Sequence, residues 1–233
     1  MPHRDSLQLP VACLLTVIAT VSLLFSGHFG KELIAEIAIL AIFAMSLDLL
    51  VGGTGLVSLG HAGFLAIGAY ATAAATTLWG WPPIAGFAMS VVLSAIIAAA
   101  VGFLAIRLSG VFFIMITLAI GQMFYAYFFK AQAFGGDDGM AGTPRVNLSL
   151  IGIDTSDPTV FSAILIVITA AIYLFLLLIK QSPFGMTLSA IRQNESRMSS
   201  LGCPVPRYKL VAFITASAIA SLCLLYTSDA ADE

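Results

Sequence analysis

Residues 84–106 read IAGFAMSVVLSAIIAAAVGFLAI, an unbroken run with no Asp, Glu, Lys or Arg. A straight helix needs about 20 apolar residues to cross the hydrocarbon core of a bilayer, and this run supplies them. It is continuous, whereas the strands of a transmembrane barrel are about ten residues long and alternate apolar with polar. Comparable segments lie at 9–26, 33–51, 63–78, 110–129, 159–179 and 209–225, each separated from the next by Gly, Pro or charge. The pattern predicts an all-α polytopic transmembrane bundle with about seven candidate spans. Several spans fall short of a straight crossing, which leaves room for a Gly-rich broken-helix segment, 52–63, inside the membrane.

Composition agrees. Of 233 residues, 60% are hydrophobic and 9% charged, against about 25% charged in soluble domains, which excludes a water-soluble monomer. The formal net charge of -2 gives no basic surface for nucleic acid, and the expected surroundings are membrane lipid and other helices. Cys13, Cys203 and Cys223 are far apart and lack metal or disulfide spacing. Arg4 precedes the apolar run Val11 to Phe25, which reads as a first span because no small-x-small cleavage pattern follows before Lys31 and Glu32.

Orientation follows from the short loops. Segment 180–208, with Lys209 at its edge, carries Lys180, Arg192, Arg197 and Arg207 against one acid, Glu195, and is expected to be cytoplasmic. Loop 130–158, with Asp137, Asp138, Asp154 and Asp157, belongs on the other side. Counting back puts Arg107 and the N-terminus inside and the Trp79–Pro83 turn outside. Lys31 goes against the rule.

Three features could carry chemistry. The stretch Val51–Gly63 supplies Gly52, Gly53, Thr54, Gly55, Ser58 and His61 as candidates for a polar pathway. Backbone freed from helical bonds is tolerated at membrane depth only where protein or water satisfies it, and transporters build sites at such breaks. The alternative is a tight interfacial turn with Gly at positive φ. His61 alone is no metal site.

The second feature is a pair of acids, Glu36 and Asp48, in or near the 33–51 segment, where burial costs about 3 kcal/mol or more without partners. Asp48 lies near the cytoplasmic end, so a snorkelling or capping role competes with a proton or substrate contact.

The third begins at Ser182-Pro183, an N-cap followed by Pro at the first helical position, which predicts a short helix. At 100° per residue Phe184, Leu188, Ile191 and Met198 share a face, with Ser189, Gln193 and Arg197 opposite. Glu195 projects onto the middle of the apolar face, which calls for a partner offering a cation or donor. That points to docking rather than to a helix lying on anionic lipid. The loop Phe134–Arg145 reads as turn-rich and solvent-facing, without the closing Glu of a calcium loop.

Four blocks in order carry a resemblance: Leu47–Tyr70, with Gly52-Gly53-Thr54-Gly55-Leu56-Val57-Ser58-Leu59-Gly60-His61-Ala62-Gly63-Phe64; Arg107–Phe113; Gly135–Arg145; and Ser182–Phe213. Over residues 33–221 the chain resembles the LivM-type permease subunits of ABC importers for branched-chain amino acids, with urea and short-amide permeases as relatives. The resemblance implies a 1–225 permease domain in the bacterial inner membrane and no cofactor of its own. ATP would be hydrolysed by two ATP-binding cassette subunits, beside a second permease subunit and a periplasmic substrate-binding protein. It implies alternating access driven through a coupling helix at 182–202, with Arg192, Glu195, Arg197, Leu201 and Gly202 as coupling residues.

Ser196 and Arg197 stand where alanines are common in such loops. After about Ser221 the pattern is lost, and 226–233 reads as a non-native or disordered tail on a truncated frame. No GxxxxGK[ST] motif occurs, so the expectation is a transport subunit and no enzyme. HExxH and GxSxG are likewise missing from the spans and their flanks. An ion-coupled secondary carrier using Glu36 and Asp48 is the rival reading.

Overall fold

The computed structural model describes residues 10, 16–23, 25, 27–108, 110–131 and 158–225. Among them every regular element is helical and there is no strand. Residues 16–23 are helical within the predicted 9–26 span; 9, 11–15, 24 and 26 lie outside the described residues, together with 132–157 and 226–233.

Helix α1 (His28–Thr54) ends at Gly55, whose φ of 75° is left-handed and halts the helix. Helix α2 (His61–Thr77) runs to a turn through Trp79 and Gly80, and Pro83 then opens α3 (Pro83–Ala105) at a position where its missing N–H costs nothing. Gly110 leads into α4 (Val111–Lys130). Helix α5 (Pro158–Gln181) is followed by the short α6 (Pro183–Gln193) and α7 (Glu195–Ser200). The last helix, α8 (Val205–Ser221), passes into a 3-10 turn (Leu222–Leu225).

Among the described residues four helices are long and apolar enough to cross a membrane, within α1, α3, α4 and α5. The predicted 63–78 and 209–225 spans become α2 and α8, of 17 residues each. At 1.5 Å per residue that is about 26 Å, less than the roughly 30 Å of hydrocarbon. Both are lengthened by other backbone: α2 by the non-helical stretch before it, α8 by its 3-10 turn.

Helix α8 occupies the middle, packed on α1, α2 and α3, while α5 lies along α1 and α4 along α2. Phe213 of α8 is the hub. Phe64 meets it edge-on at 5.5 Å and Phe113 at 6.3 Å, the arrangement that aromatic quadrupoles favour. Ile42, Leu49, Leu50 and Leu165 complete the core. Hydroxyls join helices where their cores are small: Ser94 Oγ donates to the Ser217 carbonyl between α3 and α8, and Ser162 Oγ to the Lys31 carbonyl between α5 and α1. Phe112, Met115, Met123 and Val167 are exposed, apolar surface of the kind that faces lipid or neighbouring membrane helices.

Candidate functional site

The glycine-rich segment breaks later than its glycines suggest. Helix α1 continues through Gly52 and Gly53, and helical hydrogen bonding stops only at Gly55, whose N–H donates to the Val51 carbonyl. Thr54 spans the end: its hydroxyl donates to the Leu50 carbonyl at 2.8 Å and accepts the Leu56 N–H at 3.3 Å. From Thr54 to Gly60 burial alternates, with Thr54, Leu56, Ser58 and Gly60 buried and Gly55, Val57 and Leu59 exposed. The alternation has a period of two, and the connector is a half-buried strip opened by the left-handed Gly55 and closed by a turn at Leu59 and Gly60.

Its far end is held by close backbone packing. A Cβ on Gly60 would collide with the Thr117 carbonyl of α4, and one on Gly121 would lie 3.0 Å from the Gly60 Cα. A Cβ on Gly63 would sit 2.9 Å from the Phe124 ring.

His61, the first residue of α2, is buried between the rings of Phe43 and Phe64. Its Nε2 lies 3.0 Å from Ser46 Oγ. The Ser46 hydroxyl donates its proton to the Phe43 carbonyl at 2.7 Å, so the imidazole N–H must be on Nε2 and donate to Ser46. That leaves Nδ1 as a bare acceptor, and both it and the buried Ser58 hydroxyl lack a hydrogen-bond partner among the described residues. Ser46, absent from the sequence candidates, thus sets the His61 tautomer.

The two acids separate. Asp48 Oδ2 accepts a hydrogen bond from Lys180 Nζ at 2.6 Å, an exposed ion pair between α1 and α5. Glu36 lies about three turns away on α1 and is exposed.

Helix α6 starts where expected: Ser182 Oγ accepts the Gly185 N–H, and Pro183 takes the first position. It does not continue past Gln193. Asn194 is extended, at φ -158° and ψ 97°, and its side chain accepts the Arg197 N–H to cap a separate α7. Leu188 and Ile191 are buried, Phe184 and Met198 half-buried, and Ser189, Gln193 and Arg197 exposed.

The break corrects the placement of Glu195. Rotated at Asn194, its side chain is 52% exposed and not on the buried face, and its cation comes from within the chain: Lys209 Nζ donates to Oε2 at 2.7 Å while being 5% exposed. Glu195 also opens α7, where the helix dipole favours an acid. Beyond α7, Leu201 is 75% exposed, beside Gly202 at φ 82°.

The structure brings two candidate groups together that lie 140 residues apart. Arg192 Nη1 donates to the Gly52 carbonyl at 2.7 Å. The Arg192 Cγ lies 3.4 Å from the Cβ position of Gly55, and Leu188 Cδ1 lies 3.7 Å from that of Gly53. The end of α1 that bears the break is therefore roofed by α6. No spacing in the sequence signals this contact, nor the anchoring lysines Lys180 and Lys209. The loop Phe134–Arg145 lies outside the described residues.

A family model described as "Branched-chain amino acid transport system / permease component" matches residues 9–227. The chain is similar to two proteins named high-affinity branched-chain amino acid transport system permease protein LivM, from Salmonella typhimurium and Escherichia coli. It is 28% identical to each over 205 residues, covering 77% of this chain and 47% of the relative. It spans about half the length of these curated relatives. No solved structure matches it.

Proposed function

The chain belongs to the branched-chain amino acid transport permease-component family, and on that premise we propose that it forms the membrane pathway of an ABC importer. Its cargo is a branched-chain amino acid, or urea or a short amide. It sits in the bacterial inner membrane with its N-terminus and the 180–208 segment on the cytoplasmic side. Two ATP-binding cassette subunits supply the energy, a second permease subunit completes the pathway, and a periplasmic binding protein delivers the substrate.

The observation that carries this reading is the seat of α6 on the last turn of α1, where the helix breaks. A cytoplasmic helix in that position can pass a displacement to the backbone of the break. The exposed Arg197 and Leu201, with the Gly202 turn and Glu195, make the outward surface that a motor subunit would grip. On the inward side, Gly52, Gly53, Thr54, Gly55, Ser58 and His61 belong to the substrate pathway, in which two buried polar atoms have unmet hydrogen-bonding capacity. Asp48, tied to Lys180 at an exposed position, is poorly placed to carry an ion across, which weighs against an ion-coupled carrier.

The test is co-purification of the chain with the ATPases and second permease encoded beside it, then ATP hydrolysis with and without loaded binding protein. The importer reading expects a stable complex whose hydrolysis rises with substrate. Uptake that persists without ATP and collapses with an uncoupler would overturn it.

A further inference from the structure

We propose that Arg192 is a positioning residue that acts inward, holding the broken end of α1, and not a contact for a partner subunit. The inference deepens the importer reading and rests on it for its functional half.

Helix α1 leaves the carbonyls of its last turn without helical partners once Gly55 turns left-handed. That end is also the negative pole of the helix dipole. Arg192 meets both needs: its guanidinium gives the Gly52 carbonyl a charge-assisted hydrogen bond of 2.7 Å. Its stem lies over Gly55 at 3.4 Å, the residue that ends the helix and whose φ of 75° favours glycine.

The clamp is anchored at the other end of α6. Ser182 Oγ donates to the Ile179 carbonyl. Gly185 is pressed against the backbone of Ile179 and Lys180, where a Cβ would collide with their carbonyls. Lys180 is in turn paired with Asp48, one turn before Gly52. Helix α6 therefore pivots near Ser182 and bears on α1 through Arg192, ten residues or about 15 Å along. A push on its free end, at Asn194 and α7, reaches Gly52 directly. From Gly55 it passes along the half-buried strip to Ser58 and His61.

Only a side chain with a long reach and a planar set of donors serves here. Lysine brings the same Cγ to Gly55 but offers the carbonyl a point charge in place of a planar fork.

The first test needs this chain alone, in lipid nanodiscs, with hydrogen exchange read by peptide. Arg192→Ala and Arg192→Gln are expected to exchange amides in 53–58 about tenfold faster, as befits loss of a hydrogen bond to a charged group. Arg192→Lys should retain part of the protection, and the 111–130 peptide should not change. Unaltered exchange in 53–58, or faster exchange everywhere, would overturn the clamp.

The second test uses the assembled importer. With Arg192→Ala the ATPases should stay bound, while the maximal rate of substrate-stimulated hydrolysis falls about tenfold at an unchanged half-saturating concentration of loaded binding protein. Release of the ATPases by this variant would make Arg192 an outward contact and sink the proposal. If the unmodified chain binds no ATPase, the importer reading fails, and the exchange measurement still decides the clamp.

Discussion

Gly60→Ala should damage the packing of α2 on α4 more than any other single methyl in the broken segment. The backbone at Gly60, φ -87° and ψ 6°, is open to any residue, so no torsional strain enters. The cost is steric. The new Cβ would overlap the Thr117 carbonyl oxygen and come within 2.8 Å of its carbon and 3.4 Å of the Gly121 nitrogen. All three are backbone atoms of a helix and cannot swing aside, so α2 and α4 must separate. Separation also loosens Gly63 on Phe124 and the Phe64–Phe124 pair at 6.3 Å. Overpacking costs about 1–3 kcal/mol in well-packed cores, and a collision with rigid backbone belongs at the top of that range, about 3 kcal/mol. Gly53→Ala is the control: its Cβ meets only Leu188 Cδ1 at 3.7 Å, an ordinary contact, and alanine in place of helical glycine gains up to about 1 kcal/mol. Unfolding of both variants in mixed micelles, followed by circular dichroism against denaturing detergent, should separate them by about 3–4 kcal/mol. Equal stability of Gly60→Ala and Gly53→Ala would refute the reasoning.

Other expectations follow from single contacts. Glu195→Gln leaves Lys209 buried without its counter-charge and should cost about 1–2 kcal/mol in the same unfolding assay, less than a fully buried pair because Glu195 is half exposed; Lys209→Met in the same chain should recover most of it. Ser46→Ala strips the His61 N–H of its acceptor in a buried site and should cost about 1–3 kcal/mol, whereas Ser58→Ala removes a hydroxyl with no partner among the described residues and should cost almost nothing. The reverse order of those two would overturn the tautomer assignment. Asp48→Asn breaks an exposed pair and should cost under about 1 kcal/mol, less at high salt. A cysteine placed at Leu201 should react with an impermeant maleimide in inside-out vesicles and not in intact cells; labelling from the outside would invert the topology.

The helical class and most of the spans were legible because continuous apolar runs without charge admit little else in a membrane. The start of α6 was legible too, since Ser182 and Pro183 are a local signal that acts within one turn. Other details depended on distant chain. The glycines place the break at Gly52, yet Gly52 and Gly53 stay helical where α6 packs over them: Leu188 lies on Gly53, and Arg192 satisfies the Gly52 carbonyl. A single helical period carried through Asn194 puts Glu195 on the apolar face, but the chain breaks at Asn194. Asparagine is a strong N-cap, and reading it as the start of a second helix would have moved Glu195 off the apolar face. The partner Lys180 leaves no periodic trace because its ion pair spans 132 residues, and Lys209, 14 residues from Glu195, because the chain turns between two helices on the way.

The two ends of the broken segment are held by different physics, and that difference locates the bend. At His61 and Gly60 the restraint is steric, glycine backbone seated on α4, with nowhere to move short of parting two helices. At Gly52 it is polar: an exposed Arg192 and, one turn earlier, an exposed ion pair. Hydrogen bonds and ion pairs in contact with water exchange partners at small net cost. Packed backbone does not yield so readily. A displacement of α6 will therefore be absorbed where the weaker restraint ends and glycine torsions are free, at Gly55 and the strip through Val57, whose exposed side faces no core. Motion of that strip leaves α2 seated and shifts Leu56 and Ser58 relative to His61. The buried polar atoms at the start of α2 are thus the first groups whose surroundings change when α6 moves.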